Sequence, residues 1–350
     1  MKIGIIGVGM IARFHAQAIA AMSGGTLHSV YARNSEKGTA FADEFKCTAH
    51  SDLDTFLADP ELDLVTIATP SGAHLEPCLA AAKASKHVLV EKPMEVSTER
   101  IDQMIAACAE NGVTLGGIFN RRFSPAVEAF KAAADQSRFG QMTLAEASIK
   151  WFRDQEYYDS GAWRGTWKLD GGGALMNQGI HAIDQLIYLA GDVKRVSASV
   201  ACLAHTGIEV EDTAVAILEF ENGARGVIQG STACWSSSGH PAEVHVCGDQ
   251  GSAFLSDESF RVWDFAEQRP EDKEIRANLM TGSAAGLGAN DPTAINFSGH
   301  QKCFEDFVQA VASNETPAID GQEARKAVAL IQAIYASARA NGEWQDLSKF

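Results

Sequence analysis

Long apolar runs are missing from the 350 residues: no uninterrupted hydrophobic stretch approaches the roughly 20 residues that a membrane-spanning helix needs. No basic segment followed by an apolar one precedes the first strand-like residues at Lys2, so a soluble, cytoplasmic protein is expected. Paired cysteines are missing too. The seven present (Cys47, Cys78, Cys108, Cys202, Cys234, Cys247 and Cys303) are odd in number, widely spaced and never arranged as Cys-x-x-Cys. That pattern excludes a disulfide framework and a zinc knuckle. Positive charge is scarce, with 29 Lys and Arg against 45 Asp and Glu and a net charge of −16. A general nucleic-acid binder or a protein of anionic membrane surfaces would need clustered cations, so neither partner is expected. Small anionic ligands remain open, because a few local donors can hold a phosphate whatever the global sign. Internal repeats and low-complexity tracts are absent.

What is present is a globular composition, 46% hydrophobic and 21% charged, on a chain long enough for two domains. From Met1 to about Phe119, short apolar runs alternate with helical stretches. The clearest strands are Lys2–Ile6, Leu27–Tyr31, Leu64–Thr69, Val88–Val90 and Thr114–Phe119. Continuous apolar strands separated by helices predict a parallel sheet covered on both faces, hence a doubly wound fold. Ser51 is expected to cap a short helix, and Asn111-Gly112 to end one that Ser97 or Thr98 begins.

After Phe119 the rhythm changes. A helix is expected from about Pro125 to Ser137, then an aromatic-rich stretch from Trp151 to Trp167. A long apolar helix from about Gly173 to Leu189 follows, ended by Gly191. The alternating run Thr213–Phe220, then Asn222-Gly223, then Ala224–Gln229 predicts a hairpin with a type I′ turn. Val244–Val246 and Ala253–Leu255 flank Gly248–Gly251 as a second hairpin. Residues 267–294 read as a long loop, and helices at about His300–Ser313 and Gln322–Ala340 close the chain. The fold class is therefore α/β. An N-terminal Rossmann domain with a doubly wound parallel sheet spans 1–122, and an α+β domain with an open, largely antiparallel sheet spans 123–350.

The first strand runs into Gly7-Val8-Gly9-Met10-Ile11-Ala12, a G-x-G-x-x-A turn opening a helix. Gly7 suits the tight turn, Gly9 lets a pyrophosphate approach the backbone, and Ala12 lets helix and strand pack closely. About 20 residues beyond, where an acid would take a ribose hydroxyl, stand Ala32, Arg33 and Asn34. With no carboxylate to repel a 2′-phosphate and a guanidinium beside it, NADP is expected ahead of NAD. Ligands of such sheets lie beyond the carboxyl ends of the strands, which here carry Thr69-Pro70-Ser71, Glu91-Lys92-Pro93 and Asn120-Arg121-Arg122. Lys92, held between an apolar strand and a proline, is placed there. On the later apolar helix, Asn177, His181 and Asp184 recur at i, i+4 and i+7. Such groups need partners or a cavity, and a core histidine satisfied by Asp184 accounts for them as well as a site does. His240, His245 and Cys247 have no completing partner, so no metal is expected.

Gly7-x-Gly9-x-x-Ala12 with His15, Thr69-Pro70-Ser71-x-x-His74, Glu91-Lys92-Pro93, and Gly179-Ile180-His181-x-x-Asp184 together resemble the Gfo/Idh/MocA oxidoreductases. Order and spacing match over nearly the whole chain. The resemblance implies hydride transfer at a sugar or polyol carbon, with Lys92 and His181 as the catalytic pair. It also implies a homodimer or homotetramer formed through the C-terminal sheet. Many members carry an Asp where this chain has Asn177, which cannot take a proton, so the base role shifts to His181 or Lys92. The implied cofactor site begins with Gly7, Gly9, Met10 and Ile11, and adds Ala32 and Arg33. It continues through Thr69, Pro70, His74, Glu91 and Lys92, with Arg164 from a Trp163-Arg164 pair resembling one that touches nicotinamide and substrate. Asn177, Asp184, Tyr157, Trp163 and His300 are the expected substrate contacts, although the aromatic residues could equally be core packing. Relatives of this architecture also include glycosidases that recycle a retained cofactor and regulators that bind dinucleotide as a signal.

Overall fold

The computed structural model describes residues 1–280 and 297–350. By its contacts the chain forms two compact units, one of Met1–Asn120 with Asn296–Arg325, the other of Arg121–Ile295 with Lys326–Phe350. The expected division after residue 122 leaves out this return of the later segment to the first unit.

The first unit holds β1 (Lys2–Ile6), α1 (Met10–Ala21), β2 (Thr26–Tyr31), α2 (Ser35–Phe45), β3 (Thr48–His50), α3 (Leu53–Leu57), β4 (Leu64–Ile67), α4 (Leu75–Lys83), β5 (His87–Val90), α5 (Thr98–Glu110) and β6 (Leu115–Gly117). All neighbouring strands pair in parallel, in the order β3-β2-β1-β4-β5-β6. Ile3, Ile5, Val30, Leu64, Val65, Val88 and Val90 are fully buried, as strands covered on both faces require. The order reverses between β1 and β4, and a ligand crevice opens at such a point. Ser97 caps α5 as expected, accepting from Arg100 N at 3.4 Å. The cap of α3 is Asp52 and not Ser51: its carboxylate accepts from both the backbone and the hydroxyl of Thr55 (2.8 and 2.7 Å), a stronger, charge-assisted cap.

The second unit begins with α6 (Pro125–Asp135), β7 (Met142–Lys150), α7 (Gln155–Asp159) and α8 (Ile180–Ala190), which a π-helical turn, Ala174–Gly179, precedes. There follow β8 (Val193–Ala201), β9 (Thr213–Phe220), β10 (Arg225–Ser231), β11 (Glu243–Gly248), β12 (Gly251–Ser256), β13 (Ser259–Phe265) and α9 (Glu271–Asn278). Helix α10 (Ser298–Ser313) belongs to the first unit, while α11 (Gly321–Arg339) and β14 (Gln345–Asp346) end the chain. The eight-stranded sheet runs β13-β12-β11-β7-β10-β9-β8-β14 and is antiparallel except between β7 and β10. Helix α8 packs on β7 and β11.

Three expectations are corrected. The β9–β10 turn is not type I′, which needs positive φ at both central residues. Only Gly223 has it (φ 89°), and Asn222 is held otherwise, its amide donating to Ala190 O (2.8 Å) and its Oδ1 accepting from Ala224 N (3.0 Å). The expected loop 267–294 contains α9, anchored by a buried Arg138–Asp272 ion pair, while 281–296 lie outside the described residues. The expected continuous helix from Gly173 starts instead with the π turn.

Candidate active site

In the first unit, the end of β1 delivers Gly7 at φ 110°, where an added Cβ would lie 2.7 Å from Ala68 O, so only glycine fits. Over Gly9 the same test meets nothing within 4 Å, and Gly9 gives α1 no side-chain cap. Backbone N–H groups at an uncapped helix start beneath open space suit a pyrophosphate, so these residues fit a dinucleotide. At the end of β2, Ala32 is buried, Arg33 is exposed, and Asn34 is spent capping α2 (Lys37 N to Oδ1, 2.9 Å).

The Glu91-Lys92-Pro93 turn after β5 is held from beneath. Glu91 Oε2 accepts the Lys92 backbone N–H at 2.9 Å, and its Oε1 lies 2.8 Å from His15 Nε2 and 3.2 Å from His300 Nε2. His15 is itself braced, its Nδ1 lying 3.1 Å from Thr66 Oγ1. All three acid and imidazole groups are buried. Their ligand atoms come within 4.8 Å of one another, a closeness that the hydrogen bonds explain. Burial opposes charge on Glu91, yet bonds from His15 and His300 hold its carboxyl well below the usual range. Burial pushes the His15 imidazole down, outweighing Glu91. His74 also serves the turn: Nδ1 lies 3.1 Å from both Pro93 O and Met94 O, and Nε2 2.9 Å from Thr69 O.

Both shifts make acid destabilising. As pH falls through the ordinary histidine value of 6.5, the unfolded chain takes up a proton that folded His15 refuses. Below the ordinary value of 4.5, it takes up another that folded Glu91 refuses until its depressed pKa is reached. Glu91→Gln should lower stability at neutral pH and remove the lower limb, measured by urea midpoints between about pH 7 and about pH 4. An unchanged acid limb would show that Glu91 is not the group responsible.

In the second unit, the π turn is set by Glu211, which accepts from Gly173 N and Leu175 N (both 2.9 Å) and from the Tyr335 hydroxyl (3.0 Å). Burial pushes its carboxyl up to about 7 despite those donors. Such turns recur at functional sites. This one carries Asn177, whose Nδ2 donates to buried Asp170 Oδ1 at 2.6 Å, and Gln178, whose Nε2 donates to Tyr157 Oη at 2.9 Å. His181 follows at the second residue of α8, half-buried. One turn further, both oxygens of Asp184 accept from the Arg122 guanidinium (2.9 and 2.6 Å) in a buried pair. The Arg164 guanidinium lies 4.0 Å from the Tyr157 ring centroid and 4.9 Å from that of Trp163.

The structure therefore brings Glu91, Lys92 and His300 together in one unit, and Asn177, Tyr157, Trp163 and Arg164 around the π turn in the other. Four expected contacts have protein partners of their own. His300 is buried against Glu91, Asp184 is the partner of a permanent cation, and His74 and Glu91 tie loops below the rim. Met10 stands exposed at the start of α1, beside Ile11, and Thr69 with Pro70 opens the turn before α4. Sequence reading missed Asp170, Gln178 and Glu211, and placed Arg122 on the rim without its partner Asp184. Only Asp170 carried a local signal, as an acid before a glycine triplet.

An NAD-type cradle, a braced lysine turn and a histidine helix in that order define a dinucleotide-dependent oxidoreductase. The chain belongs to the GFO/IDH/MocA family: residues 1–119 match its oxidoreductase domain with NAD-binding Rossmann fold, and residues 127–254 match its C-terminal domain. Among relatives, oxidoreductase YrbE of Bacillus subtilis (strain 168) is 32% identical over 71% of this chain and 72% of its own length. Myo-inositol 2-dehydrogenase of Thermotoga maritima is 25% identical over 94% of each chain. The WlbA dehydrogenase of Bordetella pertussis, solved with NADH and UDP-GlcNAcA, superposes with a TM-score of 0.88 at 32% identity, over 99% of this chain and 97% of its own. Among the described residues no helix is long and apolar enough to cross a membrane.

Proposed function

We propose that this protein is an NAD(P)-dependent dehydrogenase or reductase acting on a secondary alcohol or ketone of a sugar, polyol or sugar derivative. The observation that carries the reading is the uncapped Gly7–Gly9 turn on the same rim as the braced Lys92 turn. A bound nicotinamide dinucleotide supplies the hydride acceptor or donor. His181 takes or gives the hydroxyl proton, and the Lys92 ammonium stabilises negative charge developing on the substrate oxygen. Asn177 commits its amide nitrogen to Asp170, so its carbonyl oxygen is the atom that accepts from a substrate hydroxyl. Asp170 is then the positioning residue of that contact, and His15, Glu91 and His300 are positioning residues of Lys92.

The test is a panel of sugars, polyols and keto-sugars with both cofactors, followed by nicotinamide absorbance and product analysis. Substrate-dependent absorbance change is expected. Hydrolysis products without absorbance change would replace this reading with a cofactor-recycling glycosidase.

The cofactor reading extends to NADP in preference to NAD, because the end of β2 offers exposed Arg33 and no carboxylate. Arg33→Ala should weaken NADPH binding about tenfold and NADH binding little, by fluorescence titration of each. Equal losses would place Arg33 outside the ribose site. Val215 and Ile217, 51% and 55% exposed on β9, give the C-terminal sheet an apolar outer face that supports a homodimer or homotetramer. Seven free thiols support a cytoplasmic setting.

A further inference from the structure

Within the second unit, a single residue holds the π turn at Ala174–Gly179 in two ways. Glu211 O accepts the Ala174 N–H at 3.0 Å, while its carboxylate accepts Gly173 N on Oε2 and both Leu175 N and the Tyr335 hydroxyl on Oε1. The chain comes this close because glycines precede the turn: a Cβ on Gly173 would collide with Glu211 O, and one on Gly172 with Tyr335 Oη. A π turn holds one residue more than an α-helical turn. The register that Glu211 holds therefore decides how Asn177, inside the turn, stands to His181, just beyond it.

Glu211 is buried, and among the described residues its carboxylate is met by backbone and hydroxyl donors and by no cation. The titratable groups that face it are all acids: Tyr335 from α11, Tyr158 from α7 and Cys202 beyond β8, with Asp170 acting on both tyrosines. Its neighbour Asp212 turns to the backbone of Leu203 and Ala204 and to the His205 imidazole. Burial, then Glu211 itself, pushes the Tyr335 hydroxyl well above its ordinary value, so it is a donor on both sides of neutrality. Burial opposes the Glu211 charge and its donors favour it, which leaves the carboxyl at about 7.

A proton on Glu211 changes the turn. The carboxylate only accepts, whereas the acid carries an O–H. On Oε2 that hydrogen faces the Gly173 N–H, and on Oε1 it faces the two donors already aimed there. In both cases donor meets donor and a bond is lost. The fold itself survives: folded Glu211 takes up the proton more readily than the unfolded chain, whose value is 4.5, so this group adds stability as pH falls from about 7 toward that value.

We propose that Glu211 and Tyr335 form a proton-dependent lock on the π turn, in which the carboxylate holds Asn177 in register with His181 and the acid releases it. Glu211 is thereby a positioning residue, and its effect on substrate binding rests on the dehydrogenase reading above.

The test is hydrogen exchange of peptides covering residues 171–181, read as protection factors to remove the intrinsic pH dependence, between about pH 6 and about pH 8.5. Wild-type protection should rise about tenfold across a midpoint at about 7. Glu211→Gln has no charge to lose and should stay weakly protected throughout. Tyr335→Phe removes one donor to the carboxylate and should move the midpoint upward. With the panel sugar or polyol of highest kcat/KM, the wild-type KM should rise about tenfold below the midpoint. Glu211→Gln should keep the high KM at every pH, while the kcat limb set by His181 persists in both proteins. Three results would each overturn the lock and leave the dehydrogenase reading intact: wild-type protection that ignores pH, Glu211→Gln protected as the wild type is at the alkaline end, or a Tyr335→Phe midpoint that does not move. A pH-dependent lock in a protein that turns over no sugar would do the reverse. If Glu211→Gln does not fold, Tyr335→Phe decides alone.

Discussion

Lys92→Ala and His181→Ala are each expected to lower kcat by about a thousandfold, within the range that general acid–base catalysis and charge stabilisation supply. Dinucleotide affinity should change less than tenfold in either variant, because neither side chain belongs to the Gly7–Gly9 turn proposed for the pyrophosphate. Steady-state turnover and NAD(P)H fluorescence titration on the same preparations separate the two effects. Near-normal turnover in both variants would remove the proposed chemistry and restore the regulator reading. Loss of cofactor binding with turnover would instead mean that the braced turn after β5 shapes the dinucleotide site itself.

The largest effect on stability is expected at Asp184. Both its oxygens are occupied by Arg122, which also stacks 4.3 Å from the Tyr188 ring centroid. Asp184→Ala removes the carboxylate that accepts from two nitrogens of a buried guanidinium and should cost about 3–5 kcal/mol. The pair itself is worth far less, since desolvating both ions offsets most of their attraction. An Arg122→Met/Asp184→Leu double variant should therefore recover much of the loss in urea denaturation. The double variant also decides what Asp184 does. Full recovery of stability with normal kcat fits a structural pair, whereas recovered stability with kcat reduced as in His181→Ala would show that Asp184 orients the histidine.

What the residues disclosed in advance follows from the range of the forces involved. The β1–α1 turn, the caps at Ser97 and Asn111 and the buried parallel strands are local or periodic, so they were legible. The strand β7, Met-Thr-Leu-Ala-Glu-Ala-Ser-Ile-Lys, was not. It is rich in residues without strand preference and is extended because β10 and β11 pair with it on both edges. The π turn was hidden inside an unbroken helical apolar pattern, because its cause is Glu211, more than 30 residues away in sequence. His300 pointed to a substrate contact by its place after a polar loop, and only the tertiary fold shows it spent on Glu91. The family pattern led to Lys92 and His181, while His300, which braces the Lys92 turn through Glu91, comes from a distant segment that no local spacing records.

The return of Asn296–Arg325 to the first unit has a bearing on biosynthesis. Helix α10 lies along α1, with Gln301 Nε2 donating to Ala21 O (3.3 Å) and Phe304 meeting the His15 ring edge-to-face. A ribosome that has released the first 120 residues has therefore made every strand of the parallel sheet but neither the cover of α1 nor the second imidazole on Glu91. The cofactor half must wait for most of the other half to be translated. A fragment cut at the apparent boundary should expose apolar surface and aggregate, whereas the same fragment supplied with residues 296–325 on a short linker has its missing wall.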